Sequence, residues 1–463
     1  MSAEELISQL RDENARLQRL VAELQHLVAG LRGQIAQLCQ DLATAEERIA
    51  ELEAGQKGAA SYVKPNKPKS EGSKAPRRAR AKEHNRGRKK ATVATRHEEH
   101  PIERCPQCAC KLRKQQVAWR REVIDLPPPP VVEVTEHVVF KGYCPRCAGW
   151  KYAEPVGVGE VIGQRRLGVR VTALIGYLSA TMRLPAREIQ GYLQTVHGLV
   201  LSLGAVTDLL QGLAKKGQPQ VEELRQQVRQ SAIVHADETG WREDGQNGYI
   251  WAFSTPGEDQ VRYYVYDHSR GGQVVERVLG EEFRGVLGSD FYGGYNVYRG
   301  PHQRCWTHLL RDLHTLKEEH AGDSETVLWA QAVRALHDDA QAFVGTAPQQ
   351  AEREKRYVLL VSQIEQLGLL YAKTKHPCQA LAKRLLRHQD ELFQFVLVEN
   401  LRADNNLAER SLRPLVVVRK ISGGTRSPKG SQTRMALASL FGTWKARAQN
   451  PFRECLNLLG ASP

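Results

Sequence analysis

The stretch Ala232-Ile-Val-His-Ala-Asp-Glu-Thr-Gly-Trp241 is a short apolar run that ends in two acids and a glycine. The run predicts a buried strand, which we expect to end near Gly240. Asp237 and Glu238 then lie at or near the end of that strand. Because a carboxylate is costly to remove from water without a partner, a cation is expected beside them.

Two later stretches carry further acids in similar settings. In Gly285-Val-Leu-Gly-Ser-Asp-Phe-Tyr-Gly-Gly294, Asp290 closes a second apolar run. In Asp404-Asn-Asn-Leu-Ala-Glu-Arg410, a helix is predicted to begin at Asp404 as its N-cap and to carry Glu409. Each acid taken alone is better explained as a cap or a surface carboxylate. Together, and in this order along the chain, they predict a metal site formed by three residues: Asp237, Asp290 and Glu409.

The order of predicted elements around these acids indicates the fold. Five strands and a helix are expected at Ile233–Asp237, Tyr249–Ser254, Val261–Asp267, Gly271–Leu279 (the helix), Arg284–Asp290 and Gln303–Trp306. The first three suit an antiparallel meander, and the whole order matches a ribonuclease H-like core. A helix follows at His308–Glu319 with leucines on one face. Residues 320–398 are predicted to be an all-helical insertion, and the helix that carries Glu409 is expected to end at Pro414.

Length and composition predict a multidomain α/β protein. A chain of 463 residues is too long for one core, and 41% hydrophobic with 25% charged residues is typical of globular proteins. No run approaches the roughly 18 apolar residues of a membrane span, and the N-terminus has no secretory signal. The default location is therefore a bacterial-type cytoplasm or a nucleus, and of these we expect the cytoplasm, in bacteria and associated with the nucleoid.

Residues 1–54 show the most regular pattern. Leucine recurs every seven residues from Leu10 to Leu38 and again at Leu52, and the partner positions are mostly β-branched, with Asn14 as a polar exception. This heptad pattern favours a parallel coiled-coil dimer over a single amphipathic helix. We therefore expect a homo-oligomer.

Residues 55–100 predict a basic, disordered linker. They contain 14 Lys and Arg against 4 Asp and Glu, so this segment supplies +10 of the chain's net charge of +14. Such a tether favours a polyanionic partner such as DNA, although a linker kept soluble by its charge has the same composition.

Two Cys-x-x-Cys pairs predict a structural zinc site in a zinc-ribbon-like, DNA-binding module at 101–155. Four thiolates complete a tetrahedral site and leave no open position. Strands are expected at Trp119–Leu126 and Val131–Lys141, between the pairs. Cys110 lies close enough to compete with Cys108 as a ligand. The predicted zinc ligands are Cys105, Cys108, Cys144 and Cys147.

Residues 156–230 predict a helical domain. A short helix at Ala186–Leu193 and a second one from Gly204 fit a helix-turn-helix, and an ordinary helical connector fits equally well. The catalytic domain is then expected at 231–460, with its helical insertion at 320–398.

The chain resembles the transposases of the insertion sequence 66 family. The resemblance runs from about Cys105 to Pro451 and rests on five motifs: Asp237-Glu-Thr-Gly-Trp-Arg242, Ser289-Asp-Phe-Tyr-Gly-Gly-Tyr-Asn296, Cys305-Trp-Thr-His308, Asn405-Asn-Leu-Ala-Glu-Arg-Ser-Leu-Arg-Pro414 and Arg419-Lys420. It implies a DDE-type transposase, which cuts transposon ends and then joins them to target DNA through the freed 3′-hydroxyl. Asp237, Asp290 and Glu409 are the catalytic acids that it implies. One departure is Ala109, where glycine is expected after the first cysteine pair.

Carboxylates suit Mg²⁺ or Mn²⁺, and two such ions roughly 3.5–4 Å apart stabilise the attacking and leaving oxygens of a phosphoryl displacement. Six residues are candidates for DNA contacts. Charge balance around the acids explains four of them equally well: Arg410, Arg413, Arg419 and Lys420. For His308 and Arg311, which lie one turn apart, a position at the active site is slightly favoured over solvent exposure. The alternatives to a transposase are a ribonuclease H-like nuclease that does not join DNA and a catalytically inactive DNA-binding regulator. Accessory proteins from the same element are further expected partners.

Overall fold

A computed structural model describes residues 95–153, with gaps at 115, 119, 121–123, 125 and 127, and residues 166–460. The predicted coiled coil and most of the basic linker lie outside the described residues. The chain divides into two compact units, Met1–Val123 and Ile124–Pro463. Twelve α-helices are found in the described part.

The described part of the first unit contains a tight turn around the first cysteine pair. An isolated β-bridge joins Arg104 to Lys111. Inside it, the amide of Cys105 donates to the carbonyl of Cys110 (2.9 Å), and the amide of Ala109 donates back to the carbonyl of Cys105 (2.8 Å). The turn therefore closes on itself through backbone hydrogen bonds.

The second unit begins with a small antiparallel hairpin of strands β1 (Lys141–Cys144) and β2 (Gly149–Tyr152). The predicted strand Val131–Lys141 is wrong, because residues 131–140 are irregular. Its β-branched residues suggested a strand, but Val131 and Val134 are 83% and 86% exposed. With neither a buried face nor a strand partner, β propensity alone does not form a strand.

Three helices follow: α1 (Val169–Ala180), α2 (Ala186–His197) and α3 (Leu203–Gln230). Helix α2 ends at Gly198, whose φ of 66° is left-handed and suits glycine. Helix α3 begins where the Ser202 hydroxyl accepts from the amide of Ala205 (3.1 Å). These helices bury their apolar faces in the main core of the unit. A helix-turn-helix role for them remains a prediction.

The central sheet has five strands in the order β5-β4-β3-β6-β7. Their bounds, with the helix α4 that follows β5, are β3 (Ile233–Glu243), β4 (Gln246–Ser254), β5 (Arg262–Asp267), α4 (Gln273–Leu279), β6 (Val286–Ser289) and β7 (His302–Arg304). Strands β3, β4 and β5 form the predicted antiparallel meander, whereas β6 pairs parallel with β3 and β7 parallel with β6.

Strand β3 is longer than predicted, and Asp237 lies within it rather than at its end. The strand continues because its antiparallel partner β4 pairs with it as far as Glu243, where Asp244 and Gly245, both with positive φ, form a two-residue hairpin turn. The parallel pairing with β6 stops much earlier, at His235. Asp237 therefore lies just beyond the point where the parallel pair ends.

Helices fill the chain from β7 to residue 397. They are α5 (Trp306–Glu319), α6 (Ser324–Gly345), α7 (Gln350–Tyr371), α8 (Gln379–Arg387) and α9 (Gln394–Leu397). Leu309, Leu313 and Leu316 are buried on one face of α5, as predicted. These helices share a second core.

The last helices are α10 (Asn406–Ser422), α11 (Pro428–Ala446) and α12 (Pro451–Leu459). Helix α10 packs on β3 and β4, so it lies over the strand that carries Asp237. Two predictions about α10 are wrong. Its N-cap is Asn405 rather than Asp404, and Pro414 lies inside it, because the buried stripe of Leu412, Leu415 and Val418 continues past the proline.

Candidate catalytic and metal-binding sites

The carboxylate of Asp237 is largely buried and lies near other acids. Burial raises its pKa to about 8, and the negative charges of Glu238, Asp290 and Glu409 contribute to the rise. One hydrogen bond opposes them, from the amide of Glu238 to Oδ1 of Asp237 (3.0 Å). The structure therefore brings Asp290 and Glu409 close enough to Asp237 to act on its carboxylate.

Asp290 follows β6 directly and is aligned with Asp237 by the sheet. His235 pairs with Gly288 in the parallel register, so a continued ladder would set Asp237 opposite Asp290. The Asp290 carboxylate accepts from the amide of Tyr292 (2.9 Å), which leaves most of its oxygen lone pairs available.

The turn that carries Asp290 is held by the buried guanidinium of Arg304 on β7. This group donates to the carbonyl of Asp290 (2.9 Å) and to Oδ1 of Asn296 (2.5 Å). Glu391 neutralises it across a 2.5 Å ion pair. Because Arg304 is 1% exposed, this arrangement fixes the backbone of Asp290 from inside the protein.

Glu409 lies in the first turn of α10, and Asn405 sets the position of that turn. The Asn405 side chain donates to the carbonyl of Ala236 (2.7 Å) and accepts from Nδ1 of His235 (3.2 Å), and its amide donates to Sγ of Cys305 (3.2 Å). These bonds tie the helix start to β3 and α5. Asn405 was not among the predicted site residues, although the Asn-Asn-Leu-Ala-Glu-Arg motif contains it.

Asp404 has a supporting role in the same turn. Its carboxylate accepts from the amide of Asn406 (3.1 Å) and pairs with Arg402 (2.7 Å). Burial would raise the pKa of Asp404, but the hydrogen bond and charge of Arg402 outweigh it and lower that pKa. Asp404 is thus a neutralised carboxylate, in contrast to Glu409.

These acids fit a divalent cation. One oxygen of Glu409, Oε1, is buried and has no hydrogen-bond partner in the structure. A buried, unpaired carboxylate oxygen costs several kcal/mol unless a cation or donor compensates it. Carboxylate oxygens are the ligands that Mg²⁺ and Mn²⁺ prefer, so the donor set matches the ion class expected from the sequence.

Glu238 follows Asp237 directly but points to the opposite face of the sheet, because side chains alternate along a strand. It receives two hydrogen bonds from Arg270 (3.0 and 2.7 Å) and one from the hydroxyl of Tyr295 (2.5 Å). Its carboxylate is therefore satisfied within the protein. The sequence placed two acids side by side without showing that they face opposite ways.

The residues predicted to contact DNA fall into different environments. Arg410, Arg413 and Lys420 are exposed on α10. Arg419 instead donates to the hydroxyl of Thr239 (3.1 Å) and to the carbonyl of Gly240, so it ties α10 to β3. Arg311 is exposed on α5. The assignment of these side chains to phosphate remains a prediction.

His308 lies beside Glu409 rather than on an open surface. Three ligand atoms, one each from Cys305, His308 and Glu409, all lie within 4.8 Å of one another. Nδ1 of His308 is buried without a hydrogen-bond partner in the structure. Cys305 was missed as a site residue, although its Cys-x-x-His spacing was a usable signal.

In each of the two Cys-x-x-Cys turns, groups later in the turn lower the pKa of the first cysteine. The amides of Cys108 and Gln107 lower the pKa of Cys105. Cys147, through its amide and thiol, and then the amide of Arg146 lower the pKa of Cys144. Amides that point at a sulfur favour the thiolate, which is the form that binds zinc.

In the first turn, Cys108 is the residue whose amide and thiol act on Cys105, whereas Cys110 contributes a carbonyl to the turn. This arrangement favours Cys108 over Cys110 as the zinc ligand. Ala109 and Ala148, which follow the two pairs, both have left-handed φ, 56° and 47°. The second turn therefore also has an alanine with left-handed φ, in place of glycine, directly after its cysteine pair.

Every helix among the described residues is too short or too polar to cross a bilayer.

Comparison with known families gives two matches. Residues 164–433 match the model described as Transposase IS66 family. Residues 103–148 match the zinc-finger binding domain of transposase IS66. The first match covers Asp237, Asp290 and Glu409, and the second covers both cysteine pairs.

Two proteins of Sinorhizobium fredii are similar in sequence. The uncharacterized protein y4qI is 25% identical over 258 residues, which is 49% of this chain and 47% of y4qI. The uncharacterized protein y4jO is 28% identical over 215 residues, which is 40% of this chain and 61% of y4jO. The chain thus spans about half to three-fifths of these relatives, whose names state no activity.

Proposed function

This chain belongs to the IS66 transposase family, and we propose that it cleaves DNA at transposon ends and joins the freed 3′-hydroxyl to target DNA. Asp237, Asp290 and Glu409 are the proposed catalytic acids. The observation that supports this proposal best is geometric: the parallel register of β3 and β6 aligns Asp237 with Asp290, and α10, which carries Glu409, packs on β3. Three neighbouring carboxylates, one with a buried oxygen that has no hydrogen-bond partner among the described residues, suit a divalent cation.

The proposed fold of the catalytic domain is ribonuclease H-like. In its support, an antiparallel meander of β3, β4 and β5 is extended by two parallel strands, β6 and β7. Asp237 on β3 and Asp290 directly after β6 come from neighbouring strands that pair in parallel. Helix α10, which packs on the sheet, supplies Glu409. This arrangement lets residues far apart in the chain meet at one edge of the parallel pair.

In the proposed reaction, Asp237, Asp290 and Glu409 would hold two Mg²⁺ or Mn²⁺ ions, which would stabilise the attacking and leaving oxygens of each phosphoryl displacement. Asp237 must first lose the proton that its raised pKa retains near neutral pH. Asp290 is held by the Arg304 turn and Glu409 by Asn405, so both carboxylates approach the ion site from fixed backbone positions.

The zinc-finger match supports a proposed structural zinc ion bound by Cys105, Cys108, Cys144 and Cys147. The similar electrostatics of the two turns supports the same assignment. We assign this module, the basic linker and the exposed Arg410, Arg413 and Lys420 to DNA binding. The heptads of residues 1–54 are the proposed dimerisation element, which strand transfer requires because two transposon ends must be held together.

A labelled transposon end incubated with Mg²⁺ and target DNA tests the proposal. We expect cut ends and joined products, and we expect Glu409→Gln to abolish both while DNA binding and folding persist. The matched control is Asp404→Asn, which should stay active because asparagine keeps an oxygen that can accept from the amide of Asn406, the first residue of α10. Cleavage without joined products would indicate the nuclease alternative, and binding without cleavage would indicate the inactive regulator. An active Glu409→Gln with an inactive Asp404→Asn would move the third acid to Asp404.

A further inference from the structure

Cys305, His308 and Glu409 form a second group of ligand-type side chains beside the proposed catalytic acids. Cys305 is the N-cap of α5, and His308 lies in its first turn. Glu409 reaches them from α10, so that one ligand atom of each residue lies within 4.8 Å of the others. Residues from two helices, about a hundred positions apart, thus meet at one point.

Two atoms of this group lack the hydrogen bonds that buried polar atoms normally make. Nδ1 of His308 and Oε1 of Glu409 are both buried without a partner in the structure. Burying such an atom without a partner is unfavourable. Two unpartnered atoms of different residues at one place indicate a group that binds both.

Cys305-Trp-Thr-His308 has the spacing of the two Cys-x-x-Cys pairs, with histidine in the place of the second cysteine. The backbone amide of Asn405 donates to Sγ of Cys305 (3.2 Å), so the sulfur lies where the start of α10 meets the start of α5. The position of the thiol beside Glu409 is therefore fixed by backbone contacts of both helices.

The chemistry of the three donors selects the class of metal. A thiolate sulfur, an imidazole nitrogen and a carboxylate oxygen are ligands of zinc and related transition metals, whereas Mg²⁺ takes oxygen ligands almost alone. We propose that Cys305, His308 and Glu409 bind one zinc-class divalent ion, separate from the four-cysteine site. Three protein ligands leave an open coordination position for water or a phosphate oxygen.

Glu409 belongs to both groups, because it also acts on Asp237. A metal held by α5 would orient the Glu409 carboxylate and fasten α10 beside β3. The closeness of this ion to catalytic carboxylates rests on the proposed function. The metal binding itself does not, and it can be measured without any DNA.

The test uses full-length protein in which the four-cysteine site is disabled by Cys105→Ser and Cys144→Ser. We expect this double variant to retain one zinc per chain, and to give a thiolate-to-metal charge-transfer absorption with Co²⁺. Adding Cys305→Ser should remove the absorption, and adding His308→Ala should weaken Co²⁺ binding at least tenfold. Thr307→Ala is the matched control in the same turn and should leave both signals unchanged.

If the folded double variant, with Cys305 still present, has lost all zinc and shows no Co²⁺ absorption, the proposal is overturned. An absorption that survives Cys305→Ser would also overturn it. Circular dichroism of each variant verifies folding. Metal bound at this site in a protein that does not cleave transposon ends would leave the inference standing and the proposed function refuted.

Discussion

Two carboxylates near the sheet show opposite responses to burial. Glu391 accepts from Arg304 and His388, and although burial alone would raise its pKa, these partners lower it to about 2. Asp237 has no basic partner in the described structure, and its pKa rises to about 8. The fold thus neutralises Glu391 with its own residues and leaves Asp237 without a basic partner among the described residues. In the proposed function, that difference separates a structural acid from a metal-binding one more clearly than burial does.

Asp237→Asn should give the largest effects, in opposite directions for activity and stability. We expect cleavage to fall to background, because the amide removes a charge that the metal needs. Without metal, the variant should be more stable than the wild type at pH 8, because the like-charge repulsion and the desolvation cost are removed. Denaturant unfolding in EDTA measures the gain, and a less stable Asp237→Asn would contradict it. Glu238→Gln is the adjacent control and should gain less than Asp237→Asn, because the relief of repulsion on Asp237 is offset by the loss of the ion pair with Arg270 (2.7 Å).

The pH dependence follows from the same shift. Asp237 has a folded-state pKa of about 8 against an ordinary value of 3.8. A raised pKa contributes stability that is complete below about pH 4 and is lost as the pH rises through 8, by up to roughly 5 kcal/mol. Mg²⁺ should reverse this trend, since binding requires the ionised form. Glu391 acts in the other direction, and its contribution is lost as the pH falls from 4.5 through 2.

The comparison also shows how far the sequence could predict this protein. The meander and the leucine face of α5 followed from apolar periodicity, whereas the catalytic role of the three acids remains a prediction. The length of β3 did not follow from periodicity, because it depends on pairing with β4 beyond the end of the parallel pair. The hydrogen bond of Arg419 to Gly240 and the ion pair of Arg304 with Glu391 likewise depend on tertiary contacts, since the partners lie 179 and 87 positions apart in the chain. No local pattern marks a buried arginine in advance.

Glu391→Gln should remove the ion pair that neutralises Arg304. Arg304 is almost fully buried, so losing its partner leaves an uncompensated charge and should cost about 3 kcal/mol in unfolding free energy. Chemical denaturation at pH 7 measures it. The control is Asp338→Asn, whose ion pair with Arg334 is exposed and should change stability by less than about 1 kcal/mol. Equal effects of the two substitutions would show that burial does not distinguish these pairs.

The cysteine turns offer a third way to accommodate an anion, through backbone amides, and they give the smallest expected effect. The amides can point at the sulfurs only if the chain turns sharply after each pair, where Ala109 and Ala148 adopt left-handed φ. An L-residue is strained there by roughly 1–2 kcal/mol, while glycine loses about 0.5–1 kcal/mol in backbone entropy. Ala109→Gly and Ala148→Gly should therefore each stabilise the zinc-loaded protein by about 0.5–1 kcal/mol, measured as slower zinc loss to a chelator. Ala153→Gly, at a residue without positive φ, should not. Faster zinc loss from both turn variants would show that the left-handed positions carry no strain, and that glycine is not required after the cysteine pairs.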